Sequence, residues 1–322
     1  MLAFILAPFY VLVNLYIVHW VLRWTGCCHR LCGTRAFRVI FCVVYAFAAL
    51  SPLTGFAVQE PQWLRHALKQ VGSYWLGWML YLVLAVLVVE GLLFAVRRIR
   101  RKDFQQMQRV RQVQGGVALV LVCAVCLYGM ANADRLRVTD YEITLDGAGE
   151  DMTVALLADL HLGYSTEAAY IEQAVQAVNN MQADLVVIAG DIFDNEYEAI
   201  PEPGRIAAAL ASLHSTYGVY ACWGNHDVSE PILAGFTWDT ADADKADPRM
   251  EAFLRQAGIT LLADEAVTLG NGVQLVGRKD PSRDKKLGDD RLSPEALLEP
   301  LDPAQPVFVI DHQPKELDEL AA

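Results

Sequence analysis

The sequence predicts a layered α/β domain preceded by an all-α transmembrane region of about four helices. Three observations predict it. Long apolar runs fill residues 1–135, short β-prone runs alternate with helical spacing over residues 136–322, and the charge changes sign between the two. The first part carries 14 Lys/Arg against 4 Asp/Glu, net +10, which from a total of −12 leaves −22 for the second. At 54% hydrophobic residues and positive mean hydropathy, the chain is too apolar for one soluble domain of ordinary make-up. A domain at −22 repels phosphate backbones, so nucleic acid is not an expected partner, whereas the membrane is.

The apolar runs are Leu2–Leu22, Ala36–Val58, Val71–Val96 and Val117–Ala133. Each is long enough, or nearly so, to cross a hydrocarbon core about 30 Å thick. The connection between the first two holds Arg23, Arg30, Arg35 and Arg38, and that between the last two holds a dense run from Arg97 to Arg111. The middle connection has only Arg65 and Lys69, with Glu60. By the positive-inside rule the first and third connections are cytoplasmic, which puts both termini and residues 136–322 outside the cytoplasm. Within the runs His19 and Glu90 are nearly the only ionisable groups, so no ion path is apparent. Cys27, Cys28 and Cys32 bracket His29, but their spacing fits no standard zinc pattern, and interfacial thiols are the expectation.

Beyond Asp140, alternation in Tyr141–Leu145 predicts an edge strand, Gly147–Asp151 a turn, and Met152–Ala158 a central strand. Thr166–Met181 has helical apolar spacing, with Ser165 or Thr166 as N-cap. Ala183–Ala189 is the next strand, Pro203–Leu213 a helix and Gly218–Cys222 a strand. Asp247-Pro248 opens a helix that Gly258 stops. Ile259–Leu262, Ala266–Leu269 and Val273–Val276 form a strand series with a hairpin turn at Asn271-Gly272. Ser293-Pro294 starts a short helix, Val307–Ile310 is a strand, and a last helix begins at Pro314. Such alternation, with one late hairpin region, predicts layered α/β packing.

Three polar clusters stand where these strands end: Asp159-Leu-His161, Gly190-Asp191-Ile-Phe-Asp194 and Gly224-Asn225-His226-Asp227. Polar groups at the carboxyl ends of successive strands converge on one point, where open α/β sheets place their sites. Carboxylate, imidazole and amide oxygen together suit divalent metals such as Mn, Fe or Zn. A single carboxylate at a strand tip can bridge two cations about 3.5–4 Å apart, and Asp191 is the candidate.

The three clusters, followed by Asp311-His312-Gln313-Pro314, resemble the motif series of the calcineurin-like metallophosphoesterase superfamily, and its membrane-attached bacterial branch in particular. Gly277-Arg278-Lys279-Asp280 lies where that branch has G-R-x-D. The resemblance covers about Val138 to Ala322 and implies a metallophosphoesterase-type β-sandwich flanked by helices. It implies two divalent metal ions, one bound by Asp159 and His161, the other by Asn225 and His312, with Asp191 between. His226 is implied to act on the leaving oxygen or the transferring phosphoryl group, supported by Asp194, with Asp227 as the fallback. The family's final G-H-x-H does not follow, since the chain ends ten residues after His312. The expectation is therefore a transmembrane region 1–135 and a C-terminally incomplete domain 136–322, weakly active or inactive because each metal lacks one histidine.

The reaction class so implied is hydrolysis of a phosphomonoester, phosphodiester or pyrophosphate, with a lipid-linked substrate favoured by the anchor. A non-catalytic sensory or binding module on the same fold, and a transporter with an accessory domain, are the alternatives. Tyr164 and Phe193 are candidate pocket walls, Arg278 and Arg283 candidate phosphate contacts on loops, and Trp223 a packing residue.

Overall fold

The computed structural model describes residues 2–99, 104–144, 151–230, 232–233, 236–237 and 246–321. The chain divides into two compact units, Met1–Arg135 with Ile232–Phe236, and Leu136–Pro231 with Thr237–Ala322.

The first unit is built of α1 (Leu2–Cys28), α2 (Arg35–Ala57), α3 (Gln62–Ile99) and α4 (Phe104–Ala133). All four are long and apolar enough to cross a membrane, and only 11–28% of each apolar window is buried within the protein. Outward faces of that kind suit hydrocarbon, because no water is needed to satisfy a helical backbone there. A short polar chain ties the helices where they meet. Tyr45 donates to Asn14 Oδ1 (2.9 Å), Asn14 to the Tyr10 carbonyl (2.8 Å), and Tyr10 to the Ala49 carbonyl (2.6 Å). Trp75 Nε1 donates to the Tyr10 hydroxyl (3.1 Å) and meets the Tyr45 ring edge-on. The thiols of Cys27, Cys28 and Cys32 are free.

In the second unit β1 (Val154–Leu157), α5 (Ala168–Met181), β2 (Leu185–Ala189), α6 (Pro203–Leu210), β3 (Val219–Cys222), α7 (Pro248–Gln256) and β6 (Thr260–Leu261) alternate along the chain. Between β3 and α7 in the chain come the two-residue strands β4 (Ile232–Leu233), which belongs to the first unit, and β5 (Phe236–Thr237). The main sheet has the order β1-β2-β3-β6, all parallel. Crossovers that always step the same way, each right-handed, put every helix on one face of a sheet. Ile171, Val175 and Val178 of α5, Ile206 and Leu210 of α6, and Phe253 and Leu254 of α7 share one core with Val186 and Ile188 of β2.

The other face is left for a second sheet. It consists of β7 (Glu265–Thr268), β8 (Gln274–Gly277) and β9 (Val307–Ile310), antiparallel then parallel. Leu185 and Val187 point into the core between the sheets, with Cys222, Leu262, Leu275 and Ile310. Adjacent residues of β2 thus serve two cores, as a period of two demands. The turn at Asn271-Gly272 forms as expected, with Gly272 at φ +90°. Asp247 caps α7 by accepting from the Arg249 N–H, and Gly258 at φ +68° ends it.

Several expectations are corrected. Met152–Ala158 yields an edge strand of the main sheet, with Leu156 68% exposed. Residues 141–144 form no strand, while Leu145 and Gly147–Glu150 lie outside the described residues. Helix α5 starts at Ala168, because the Thr166 hydroxyl is donated back to the His161 carbonyl (2.7 Å) instead of capping the helix. Asp280 and Pro281 start a helix that the sequence reading leaves as loop, α8 (Pro281–Leu287), with Asp280 accepting from the Ser282 and Arg283 N–H groups. After the short α9 (Pro294–Leu298), the last helix is α10 (Leu317–Leu320), shorter than expected from Pro314.

Candidate metal centre

The ends of β1, β2, β3 and β9 meet at one place. Past β1 and β2 the chain leaves the sheet but keeps pairing: Asp159 N–H donates to the Gly190 carbonyl (3.1 Å), His161 N–H to Asp191 (3.0 Å) and Leu162 N–H to Ile192 (2.8 Å). This zipper is made with Asp159, His161 and Asp191 all at positive φ, between +41° and +53°. Left-handed backbone costs a non-glycine residue of order 1–3 kcal/mol and is held only where the surroundings impose it. Here it turns three side chains toward one centre.

Close approach is the second device. A Cβ at Gly190 would meet the His312 side chain and the Gly224 Cα, and one at Gly224 would fall on the Asp191 amide and carboxylate. Both motif glycines are therefore where two strand ends touch. Asp227 fastens the same loops, accepting from the Phe193 and Gly224 N–H groups at 2.7 Å each. Burial pushes its carboxyl up to about 7 against the pull of those two amides.

Asp191 is 3% exposed and central. Its Oδ1 accepts from the His226 N–H (2.8 Å), and its Oδ2 lies 3.2 Å from His312 Nε2 and 3.7 Å from His161 Nε2. The same His161 nitrogen is 3.8 Å from Asp159 Oδ1, while its Nδ1 is 3.8 Å from Asp194 Oδ1. Asp194, then Asp191 and Asp159, hold the His161 pKa above the ordinary imidazole value, although burial opposes them. His312 Nδ1 donates to the Ala189 carbonyl (2.8 Å), which fixes the tautomer and leaves Nε2 facing Asp191. Asn225 Oδ1 accepts from Gln313 Nε2 at 2.6 Å.

The donor set fits divalent metal. Asp159, Asp191 and His312 each offer an atom within 4.8 Å of the others, as do His161, Asp194 and His226. Carboxylates crowded this closely repel one another unless a cation or proton stands between them. Imidazole and carboxylate together are the ligands of Zn, Mn and Fe sites.

The structure thus brings Asp159, His161, Asp191, Asp194, Asn225, His226 and His312 together. It changes one partnership. His226 Nδ1 hydrogen-bonds Asn195 Oδ1 at 2.5 Å, whereas Asp194 lies nearer His161 and Asp227 is taken by backbone amides. Asn195, fully buried at φ +60°, and Gln313 are the site residues that the sequence reading left without a role. Their only signal is adjacency, to Asp194 and to His312.

The candidate phosphate contacts are corrected as well, and so is Phe193 as a pocket wall. Arg278 is completely buried and reaches Asp311 (3.1 Å) and Glu316 (2.9 Å). Arg283 stacks on Trp223 at 4.6 Å and bonds the Asp227 carbonyl and Asp284. Phe193 is core, packed on Trp223 and Phe253, and Tyr164 donates to Glu196 (2.7 Å).

A parallel sheet with helices on one face and a second sheet on the other, with carboxylates and imidazoles gathered at the strand ends, defines a metal-dependent phosphoesterase class. The chain belongs to the calcineurin-like phosphoesterase family, whose family model matches residues 152–320. It is 28% identical over 189 residues to an uncharacterized metallophosphoesterase of Helicobacter pylori J99, covering 58% of this chain and 45% of that one. It is 24% identical over 205 residues to UDP-2,3-diacylglucosamine pyrophosphatase LpxG of Chlamydia trachomatis, covering 52% and 59%. A transmembrane protein with metallophosphoesterase domain from Danio rerio is 27% identical over 231 residues, covering 66% and 51%. The chain spans about half the length of the curated relatives it matches.

Proposed function

We propose that the protein is a membrane-anchored phosphoesterase whose catalytic unit, residues 136–322, lies outside the cytoplasm and uses two divalent ions of the Mn, Fe or Zn kind. Its substrate is a phosphomonoester, phosphodiester or pyrophosphate carried on a lipid. The observation that carries this reading is the position of Asp191 Oδ2 between His161 Nε2 (3.7 Å) and His312 Nε2 (3.2 Å). One carboxylate within reach of two imidazoles on different strands suits a shared ligand.

When bound, a pair of such ions polarises phosphoryl oxygens and makes hydroxide available near neutral pH. The residues divide the remaining work. Asp159 and His161 would hold one ion, Asn225 and His312 the other, with Asp191 available to both. The His226 Nδ1–H donates a hydrogen bond to Asn195 Oδ1, which leaves the Nε2–H of the charged ring as the group that would protonate the leaving oxygen. The site opens outward at Asp159 and His161, whose side chains are 60% and 40% exposed, and closes at Asp191.

Two further observations support the anchored and lipid-linked parts. Four spans precede the catalytic unit, and their arginine-rich first and third connections favour a cytoplasmic position for those connections. The Chlamydia relative is named as a pyrophosphatase of a diacylated nucleotide sugar.

The test is metal analysis of the chain purified in detergent, followed by a panel of p-nitrophenyl phosphate, its bis-ester and a nucleoside-diphosphate sugar. The expected result is hydrolysis, however weak, that a chelator abolishes and Mn²⁺ restores. Metal bound without hydrolysis of any member would favour a binding module instead.

A further inference from the structure

The polar side chains of the helical unit gather rather than spread. Tyr16, His19, Trp20, Arg23 and Trp24 of α1, Glu90 of α3, and Arg111 and Gln114 of α4 line one cavity of about 180 Å³. Bonds between helices fix its walls. Trp20 Nε1 donates to Glu90 (3.0 Å), Trp24 Nε1 donates to the Gln112 carbonyl (3.2 Å), and the Gln112 side chain donates to the Cys27 carbonyl.

What these bonds leave over is a set of donors. Gln114 is 6% exposed, yet its Nε2 has no hydrogen-bond partner among the described residues. A buried donor left so is costly, and an acceptor entering the cavity would recover that cost. Arg23 and Arg111 make no hydrogen bond or ion pair to any described residue. Two guanidinium groups outweigh the one carboxylate, so the cavity is cationic. The helices that line it carry exposed apolar side chains as well, with Leu12 at 63% and Leu15 at 61% on α1 and Val117 at 47% on α4.

We propose that this cavity binds the phosphate of a membrane lipid head group. Guanidinium forks match phosphate oxygens bidentately, and Gln114 adds a neutral donor behind them. Tryptophan and tyrosine favour the level of the head groups, and a basic pocket between spans is where a phosphorylated head group docks. A lipid is the assigned source because the lining residues stand on helices apolar enough to cross a membrane, where a head group comes with chains that cover the exposed apolar side chains of those helices. The cavity shares no residue with the metal centre, so the two can be tested separately.

The experiment uses the full chain, delipidated in detergent and titrated with phosphatidylglycerol, diacylglycerol in mixed micelles, or inorganic phosphate. Tryptophan fluorescence and the thermal midpoint are the readouts. Phosphatidylglycerol is expected to quench and stabilise, diacylglycerol to do neither, and Arg111→Gln and Gln114→Leu each to weaken the lipid about tenfold or more, which is ~1.4 kcal/mol. Because Gln114 is buried, its variant can misfold. Arg23→Gln alters an exposed side chain and should weaken lipid binding likewise, with the metal content of the other unit unchanged. Inorganic phosphate competing as strongly as the lipid would overturn the lipid assignment in favour of a free anion. Equal binding of diacylglycerol, or wild-type affinity in both arginine variants, would overturn the site altogether.

Discussion

His312 Nε2 stands 3.2 Å from Asp191 Oδ2, while the Nδ1 of the same ring donates to the carbonyl of Ala189, two residues before that aspartate. One strand end therefore supplies both the carboxylate that faces the imidazole and the carbonyl that sets its tautomer. Because His312 follows β9 and Asp191 follows β2, this contact also joins the two sheets at the site. Orientation by a fixed second nitrogen is the usual arrangement for a metal-binding histidine.

His312→Ala should weaken metal binding by about tenfold or more, since even an outer partner of a ligand is worth about 10–100-fold. Metal titration followed by calorimetry measures it. Unchanged affinity, with the melting curve also unchanged, would remove His312 from the ligand set.

Asp191→Ala and His226→Ala should separate binding from chemistry. The first is expected to lose both metal and turnover. The second should keep its metal near the wild-type level and lose turnover by about 10²- to 10⁴-fold, the usual contribution of one positioned acid. If His226→Ala strips the metal, its role is wrongly assigned.

Much of this centre was legible because its motifs sit at the ends of strands that announce themselves. Leu185–Ala189 is apolar throughout, and a strand buried on both faces requires that. The position of β1 was not legible. Met152–Ala158 carries the same apolar pattern, but Leu156 is 68% exposed, and hydrophobicity alone does not say what covers a residue. Asn195 was hidden for a different reason. Its role arises from a backbone at φ +60° that swings the amide under His226, and no periodicity encodes that. Arg278 was misread because its partner Asp311 is 33 residues away, in a pairing that only the second sheet creates.

Asn195→Ala should lower turnover about tenfold or more and leave KM nearly unchanged, because a fully buried amide would act only through the His226 ring it bonds. Steady-state kinetics beside Asp194→Asn make the comparison. If Asp194→Asn is the more damaging while metal content holds, Asp194 and not Asn195 supports the acid during turnover.

Arg278→Met should destabilise the catalytic unit by roughly 3–5 kcal/mol, the range for removing one partner of a buried ion pair. Asp311 is 6% exposed at the side chain and, without Arg278, keeps Arg291 (3.3 Å) and the Gln313 N–H (3.2 Å). Denaturant unfolding reads the loss. A variant of wild-type stability but raised KM would restore Arg278 to the role of phosphate contact.

The topology is tested on thiols already present and one added. Asp290 is exposed in the catalytic unit, whose own Cys222 is buried, so Asp290→Cys offers one reactive position there. With Cys27, Cys28 and Cys32 changed to Ser, an impermeant maleimide should label that probe in intact cells. The reciprocal arm restores Cys28, exposed in the first arginine-bearing connection, which should label only after permeabilisation. The reason is the charge asymmetry of the connections, since Arg23, Arg30, Arg35 and Arg38 favour retention in the cytoplasm whereas the middle connection does not. Labelling of Cys28 but not of the Asp290→Cys probe in intact cells would invert the whole arrangement. The catalytic unit would then face the cytoplasm, and a lipid-linked substrate would have to be reached from the inner leaflet.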